Sequence, residues 1–196
     1  MILFGTPVMV FDDVLTDQEL KNIKAVCVEV CSNVESKHTF DCSVYSTFHS
    51  YDTLSDDRFS SLLSRQKELV IKFGRVHQYE LIEYAVPVNS WVNRMDKNQY
   101  QEHHKHSPCT FSCCFYPIVP EGSAPLTFYN PVQPDAPVNA GHSSLKLTHK
   151  INAVENRLIV FPSWQIHYVS MGTNKEERYS IATNYIPRRQ DGISPT

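Results

Sequence analysis

Arg178-Tyr179-Ser180-Ile181-Ala182-Thr183-Asn184-Tyr185-Ile186, near the end of the chain, reads as a β-strand. Successive side chains of a strand point to opposite faces. Arg178, Ser180, Ala182 and Asn184 therefore share one face, and Tyr179, Ile181, Thr183 and Tyr185 share the other. The first face carries a guanidinium, a hydroxyl and an amide. Buried polar groups need partners, so this face, turned into a barrel, lines a small-molecule pocket. A guanidinium pairs bidentately with a carboxylate, which suits a dicarboxylate anchored at the bottom of such a pocket.

The same period of two extends back through the second half of the chain. Segments 81–86, 90–95, 110–118, 126–129, 144–150, 157–161 and 166–171 also read as strands, separated by turn residues. With 178–186 they make eight short strands, the pattern of a two-sheet jelly roll. Half of the 12 prolines fall between Pro117 and Pro137, too many for central strands. That stretch reads as a long loop over the barrel mouth, interrupted by the strand 126–129.

Ahead of the jelly roll the pattern differs. Thr6 to Phe11 reads as a short edge strand. Thr16 and Glu19 form the signature of a capping box. Leu20, Ile23, Val26, Cys27, Val30 and Cys31 then follow helical spacing. Residues 32–55 are polar and aromatic and read as loop, a second candidate for the barrel mouth. A second helix is expected from Asp56 to about Phe73, with Gly74 as its stop. The expected organisation is one domain over 1–196: a strand and helical support at 1–78, a jelly-roll core at 79–187, and a loose tail.

Gln101-Glu102-His103-His104-Lys105-His106 carries the candidate chemistry. His104 and His106 are two apart, hence on one face of an extended strand. His167, in Phe161-Pro162-Ser163-Trp164-Gln165-Ile166-His167, is a distant third imidazole. Two imidazoles on one strand plus a third close a site for a first-row metal. Glu102 and His103 are rivals for a place in that set. Trp164 and Phe161 read as core residues, and Ser112 and Cys114 share a face with Tyr116. His38, His49, His77, His142 and His149 have no evident partner and are expected at the surface, and Lys175-Glu176-Glu177 as a solvated turn.

Bulk properties exclude several classes. The chain has 196 residues, 41% hydrophobic and 20% charged, with a formal net charge of -3. That balance, with no basic block, argues against nucleic acid as the main partner. No apolar run approaches the roughly 20 residues that span a bilayer, so no membrane partner is expected. Met1 to Gly5 lacks a basic segment and soon meets Asp12-Asp13, which argues against an export signal. The six cysteines form no recognisable disulfide framework, consistent with reduced thiols in a cytoplasm. Cys27, Cys31 and Cys42 beside His38 resemble a zinc site only loosely and read better as buried thiols.

Trp91-x-Asn93, His104-x-His106, Ser112, Tyr116, Pro131, Phe161-Pro162-Ser163-Trp164, His167 and Arg178-x-Ser180 fall in one order and spacing. In that order the chain resembles the 2-oxoglutarate- and Fe(II)-dependent oxygenases. Within them it is similar to a 2OG-Fe(II) oxygenase subfamily common in marine bacteria and their phages, distantly like the prolyl 4-hydroxylases. The resemblance covers roughly residues 90–186. It implies a mainly β fold with flanking helices, a double-stranded β-helix (jelly roll, cupin-like). It implies that His104 and His167 are iron ligands, and that Arg178 binds the distal carboxylate of 2-oxoglutarate, supported by Ser180. Asn93 and Tyr116 sit where the superfamily often places further co-substrate contacts. The implied reaction decarboxylates 2-oxoglutarate with O2 to succinate and CO2 and hydroxylates an unactivated C–H bond of a second substrate. For a phage protein the compartment would be the host cytoplasm.

The superfamily's usual third ligand is a carboxylate, in His-x-Asp; here that position is His106. Three-histidine sites also occur in dioxygenases that use no 2-oxoglutarate, so the co-substrate rests mainly on Arg178. The departure leaves two alternatives open: a jelly-roll binding or structural protein without catalysis, and a 2-oxoglutarate-independent dioxygenase. An edge strand near the N-terminus offers a surface on which a homodimer would pair.

Overall fold

The computed structural model of the protein describes residues 5–37, 42–80, 82–131 and 147–187. Helix α1 spans Asp17–Asn33. The Thr16 hydroxyl accepts from the Glu19 amide at 3.4 Å, and the Glu19 carboxylate accepts from the Thr16 amide at 2.9 Å. This capping box satisfies donors that every helix start leaves orphaned. The buried face is the expected one: Leu20, Ile23, Val26, Cys27, Val30 and Cys31.

Helix α2 spans Ser60–Val76, after a 3-10 turn at Asp57–Phe59 that the Asp56 carboxylate caps. Gly74 does not end it. A Cβ on Gly74 would lie 2.0 Å from Cγ1 of Ile82, so the glycine lets the following segment close against the helix. The chain leaves the helix at His77 and turns at Gln78, whose φ is 57°.

Ten strands follow in chain order among the described residues: β1 (Met9–Phe11), β2 (Tyr45–Ser46), β3 (Ala85–Met95), β4 (Gln101–His104), β5 (Phe111–Ile118), β6 (Leu126–Tyr129), β7 (Thr148–Ile151), β8 (Arg157–Pro162), β9 (His167–Val169) and β10 (Arg178–Pro187). One sheet has the order β1-β8-β5-β10-β3-β2 and the other β4-β9-β6-β7, all pairs antiparallel. From β3 onward the chain passes back and forth between the two sheets, which is the topology of a double-stranded β-helix.

Three strand expectations change. Segments 81–86 and 90–95 are not two strands: a 3-10 turn at Ile82–Tyr84 leads into one long β3 that runs through Pro87. The proline is tolerated because β2 covers only Asn93 and Arg94, leaving Pro87 unpaired on that side, and the register with β10 slips at Asn184/Tyr185. β9 is shorter than 166–171. Of 144–150 only the part from Leu147 is described, and β7 starts at Thr148.

Both helices pack on the outer face of the larger sheet. Ile23, Cys27, Val30, Leu62, Val70 and Phe73 meet Val92, Phe115, Val160, Tyr179 and Ile181 there. Burial pushes the Cys31 thiol up to about 12, and Cys27 higher still, so both are packing residues. A second core lies between the sheets and contains Tyr116, Leu126, Phe128, Ile159 and Phe161. Phe161 is buried as expected, but Trp164 is 46% exposed. It sits in the turn between β8 and β9, where the Gln165 amide donates to the Pro162 carbonyl at 3.0 Å, beyond the covered part of the sheet. His49, His77, His149 and Lys175-Glu176-Glu177 are exposed, while His38, His142, and the tail beyond Pro187 lie outside the described residues.

Candidate active site

β10 is the strand that aims the site. Tyr179, Ile181 and Tyr185 enter the helix-side core. Arg178, Ser180, Ala182 and Asn184 line a cavity of about 330 Å³ between the sheets. His104, His106 and His167 line the same cavity.

His104 ends β4 and sits directly opposite His167 on β9. His106 lies two residues past the end of β4, held by its amide donating to the Ser163 carbonyl at 2.8 Å. Ring centroids are 4.3 Å apart for His104–His167, 5.0 Å for His106–His167 and 5.1 Å for His104–His106. One nitrogen from each falls within 4.8 Å of the other two. These three are the only such His/Cys/Asp/Glu group among the described residues.

Each ring is oriented through Nδ1. That of His104 donates to the Glu102 carbonyl at 2.7 Å, and that of His167 to the Gln165 carbonyl at 2.8 Å. That of His106 donates to Oδ1 of Asn184 at 2.7 Å and lies 3.0 Å from the Ser112 hydroxyl. With the proton on Nδ1, each Nε2 keeps its lone pair, as a metal ligand must. Burial lowers the pKa of His104 and that of His167 below the usual range, the latter further depressed by the neighbouring imidazoles. Burial, then the proximity of His104, pushes His106 down to about 4. All three are therefore neutral at pH 7, the form that binds a metal.

Neither rival lines the cavity. His103 is exposed and its ring lies 4.1 Å from that of Tyr168, outside the barrel. The Glu102 carboxylate accepts from the Gln101 side chain at 2.8 Å and is not among the cavity-lining groups. Among the described residues no aspartate or glutamate lines the cavity. A divalent ion on three neutral imidazoles would keep its full charge until an anionic ligand arrived.

Arg178 is 3% exposed and has no carboxylate partner among the described residues. It donates through Nη1 to the Ala124 carbonyl at 3.3 Å, and its guanidinium stands 5.0 Å from the centroid of the Tyr116 ring. Its Nε and the Tyr116 hydroxyl have no hydrogen-bond partner. A buried charge beside orphaned donors is costly unless an anion completes it. Ser180 and Asn93 line the cavity with it, whereas Tyr116, also expected there, is fully buried in the core between the sheets and is not part of the lining. A dicarboxylate with a chelating 2-oxo end fits this donor set: Arg178 for one carboxylate, the metal for the other end.

Of the two segments expected at the mouth, 32–55 lines the cavity and the described part of 117–137 hardly does. Of the described part of 117–137, only Leu126 lines the cavity, and 132–137 lie outside the described residues. Val44, Ser46 and Phe48 line it instead, with residues 105–109. Phe48 stands edge-on to Trp91 at 4.6 Å, and Trp91 lies 5.6 Å from His106. Sequence reasoning pointed to the 32–55 loop but did not single out Phe48, nor the Nδ1 acceptors. Asn184 carried a signal in its parity with Arg178, whereas Phe48 lies in a loop with no period to read.

Comparison with known proteins gives the same picture. Residues 89–184 match the family described as "Putative 2OG-Fe(II) oxygenase". A prolyl-4-hydroxylase from Pseudomonas putida is similar in structure, with a TM-score of 0.67 at 13% identity over 94% of each chain. A prolyl hydroxylase from Trichoplax adhaerens, solved with a hypoxia inducible factor peptide, has a TM-score of 0.66 at 16% identity, covering 92% of this chain and 83% of its own. The epimerase SnoN, solved with Fe3+, alpha ketoglutarate and nogalamycin RO, has a TM-score of 0.69 at 13% identity, covering 96% and 83%. At such identities the likeness is one of fold. A search of curated proteins returns no match. Over residues 89–184 the chain matches the 2OG-Fe(II) oxygenase family, oxidoreductases that use iron and 2-oxoglutarate.

Proposed function

We propose that the enzyme hydroxylates an unactivated C–H bond of a protein, peptide or small-molecule substrate, with His104, His106 and His167 as the iron ligands. Decarboxylation of 2-oxoglutarate to succinate and CO2 accompanies the step. Iron held there supplies the activation of O2. The chain's own groups do the rest. Hydrogen bonds at Nδ1 hold the three rings in one tautomer with Nε2 turned to a common point. Arg178 fixes the distal carboxylate of 2-oxoglutarate, with Ser180 and Asn93 as further contacts. Phe48 and Trp91 keep water from the side where the prime substrate enters. The helices and the jelly roll act as a single domain over 1–196, a reading supported by the core they share.

One observation carries the assignment: a buried arginine without a carboxylate partner shares a cavity with three convergent, neutral imidazoles. The test is Fe(II)-dependent formation of succinate from 2-oxoglutarate, with Arg178→Ala and His167→Ala alongside. Loss in both variants is expected; unchanged succinate formation in both would overturn the proposal.

A further inference from the structure

His104 and His167 are oriented alike. Each donates through Nδ1 to the backbone carbonyl two residues before it, Glu102 and Gln165. His106 departs from that pattern. Two residues before it stands His104, itself a member of the triad, and the strand has already ended. Its Nδ1 reaches instead two side chains distant in sequence, Oδ1 of Asn184 at 2.7 Å and the Ser112 hydroxyl at 3.0 Å; the hydroxyl can donate or accept, whereas the amide oxygen only accepts.

Asn184 is built into the sheet for that contact. On β10 it is the direct cross-strand partner of Asn89 on β3 and of Ser112 on β5. Its Nδ2 donates to Oδ1 of Asn89 at 2.8 Å, and its Oδ1 accepts from the Ser112 hydroxyl at 2.7 Å. Ser112 in turn lies 2.8 Å from the Ser163 hydroxyl, which donates to it. The row holds the amide beside His106 with its oxygen toward the ring, and Asn184 is only 3% exposed.

We propose that Asn184 is the positioning residue that lets His106 stand where a carboxylate ligand would otherwise be: its side-chain carbonyl replaces the backbone acceptor that His106 lacks. This rests on the assignment of His106 to the iron. A carboxylate presents an oxygen lone pair in any rotamer, whereas an imidazole has one only on the unprotonated nitrogen. Replacing a carboxylate by histidine thus demands an acceptor behind the ring, and an amide supplies it without adding charge.

The test compares wild type with Asn184→Leu, Asn184→Asp, Asn89→Ala and His167→Ala. The ring 15N shifts of His106 in the metal-free protein report its tautomer, and anaerobic competition against a chelator reports Fe(II) affinity. In wild type His106 carries its proton on Nδ1. Asn184→Leu moves the proton toward Nε2 and weakens Fe(II) binding by roughly 10–100-fold. Asn184→Asp, which keeps the acceptor, restores the Nδ1 tautomer and binds within a few-fold of wild type. Asn89→Ala, which frees the amide to rotate, gives a mixture of tautomers and serves if the leucine variant does not fold. A folded Asn184→Leu protein with unchanged tautomer and affinity would overturn the proposal, as would an unchanged tautomer in Asn89→Ala. Fe(II) binding indifferent to His167→Ala would instead strike the iron assignment on which the proposal rests.

Discussion

Replacing Arg178 by methionine should stabilise the ligand-free protein while removing its response to 2-oxoglutarate. Exchanging an uncompensated buried charge for an apolar side chain of similar reach gains about 1–4 kcal/mol. The Ala124 carbonyl at 3.3 Å, the Met95 sulfur at 3.6 Å and the Tyr116 ring already compensate part of the charge. The lower end applies, about 1 kcal/mol, or roughly 2–4 °C in Tm for a chain of this size. The ligand moves the other way. At 100 times its Kd, 2-oxoglutarate stabilises the wild type by about 2.7 kcal/mol. Losing one partner of a buried charge pair costs about 3–5 kcal/mol, so the variant binds on the order of 10² to 10³ times more weakly. At the same concentration its stabilisation falls to about 0.4 kcal/mol or less. Anaerobic thermal melts with constant Fe(II), with and without 2-oxoglutarate, read both effects. A variant that melts below wild type without ligand, and still gains the full shift with it, would refute the reasoning.

Three further outcomes follow from the structure. His106 has a pKa of about 4 when folded and an ordinary value of 6.5 when unfolded, so between these the unfolded chain binds more protons. The metal-free protein should lose stability as the pH falls through that window, and melts at pH 7 and pH 5 that coincide would contradict this. Gly74→Ala, a gain in an open helix, should here cost about 1–3 kcal/mol because the new methyl meets Ile82. Chemical denaturation should show the loss, and Ile82→Ala in the same chain should recover part of it. Thr16→Ala should remove about 1 kcal/mol through the capping box, read as a drop in Tm of roughly 2–4 °C.

The sequence made some features legible because they are local. The six buried positions of α1 follow from the 3.6-residue repeat, and the capping box from Thr16 and Glu19. The two faces of β10 follow from a period of two, and that parity separated the cavity residues from Tyr179 and Ile181. What escaped depends on distant neighbours. Gly74 looks like a helix stop until Ile82 is seen against it. Pro87 looks like a break until β2 is seen to end short of it. Trp164 looks like core by composition, yet it sits in the turn between β8 and β9 and is 46% exposed. The contact between His106 and Asn184 joins the segment after β4 to β10 of the other sheet, and no periodicity within either segment encodes it.

The most direct test of the central claim is an anaerobic titration of the protein with Fe(II) and then 2-oxoglutarate, followed by visible absorption. A metal-to-ligand charge-transfer band that requires both, and is lost in Arg178→Ala, is predicted. Iron that binds tightly while 2-oxoglutarate produces no band, or a band that survives in Arg178→Ala, would contradict the account.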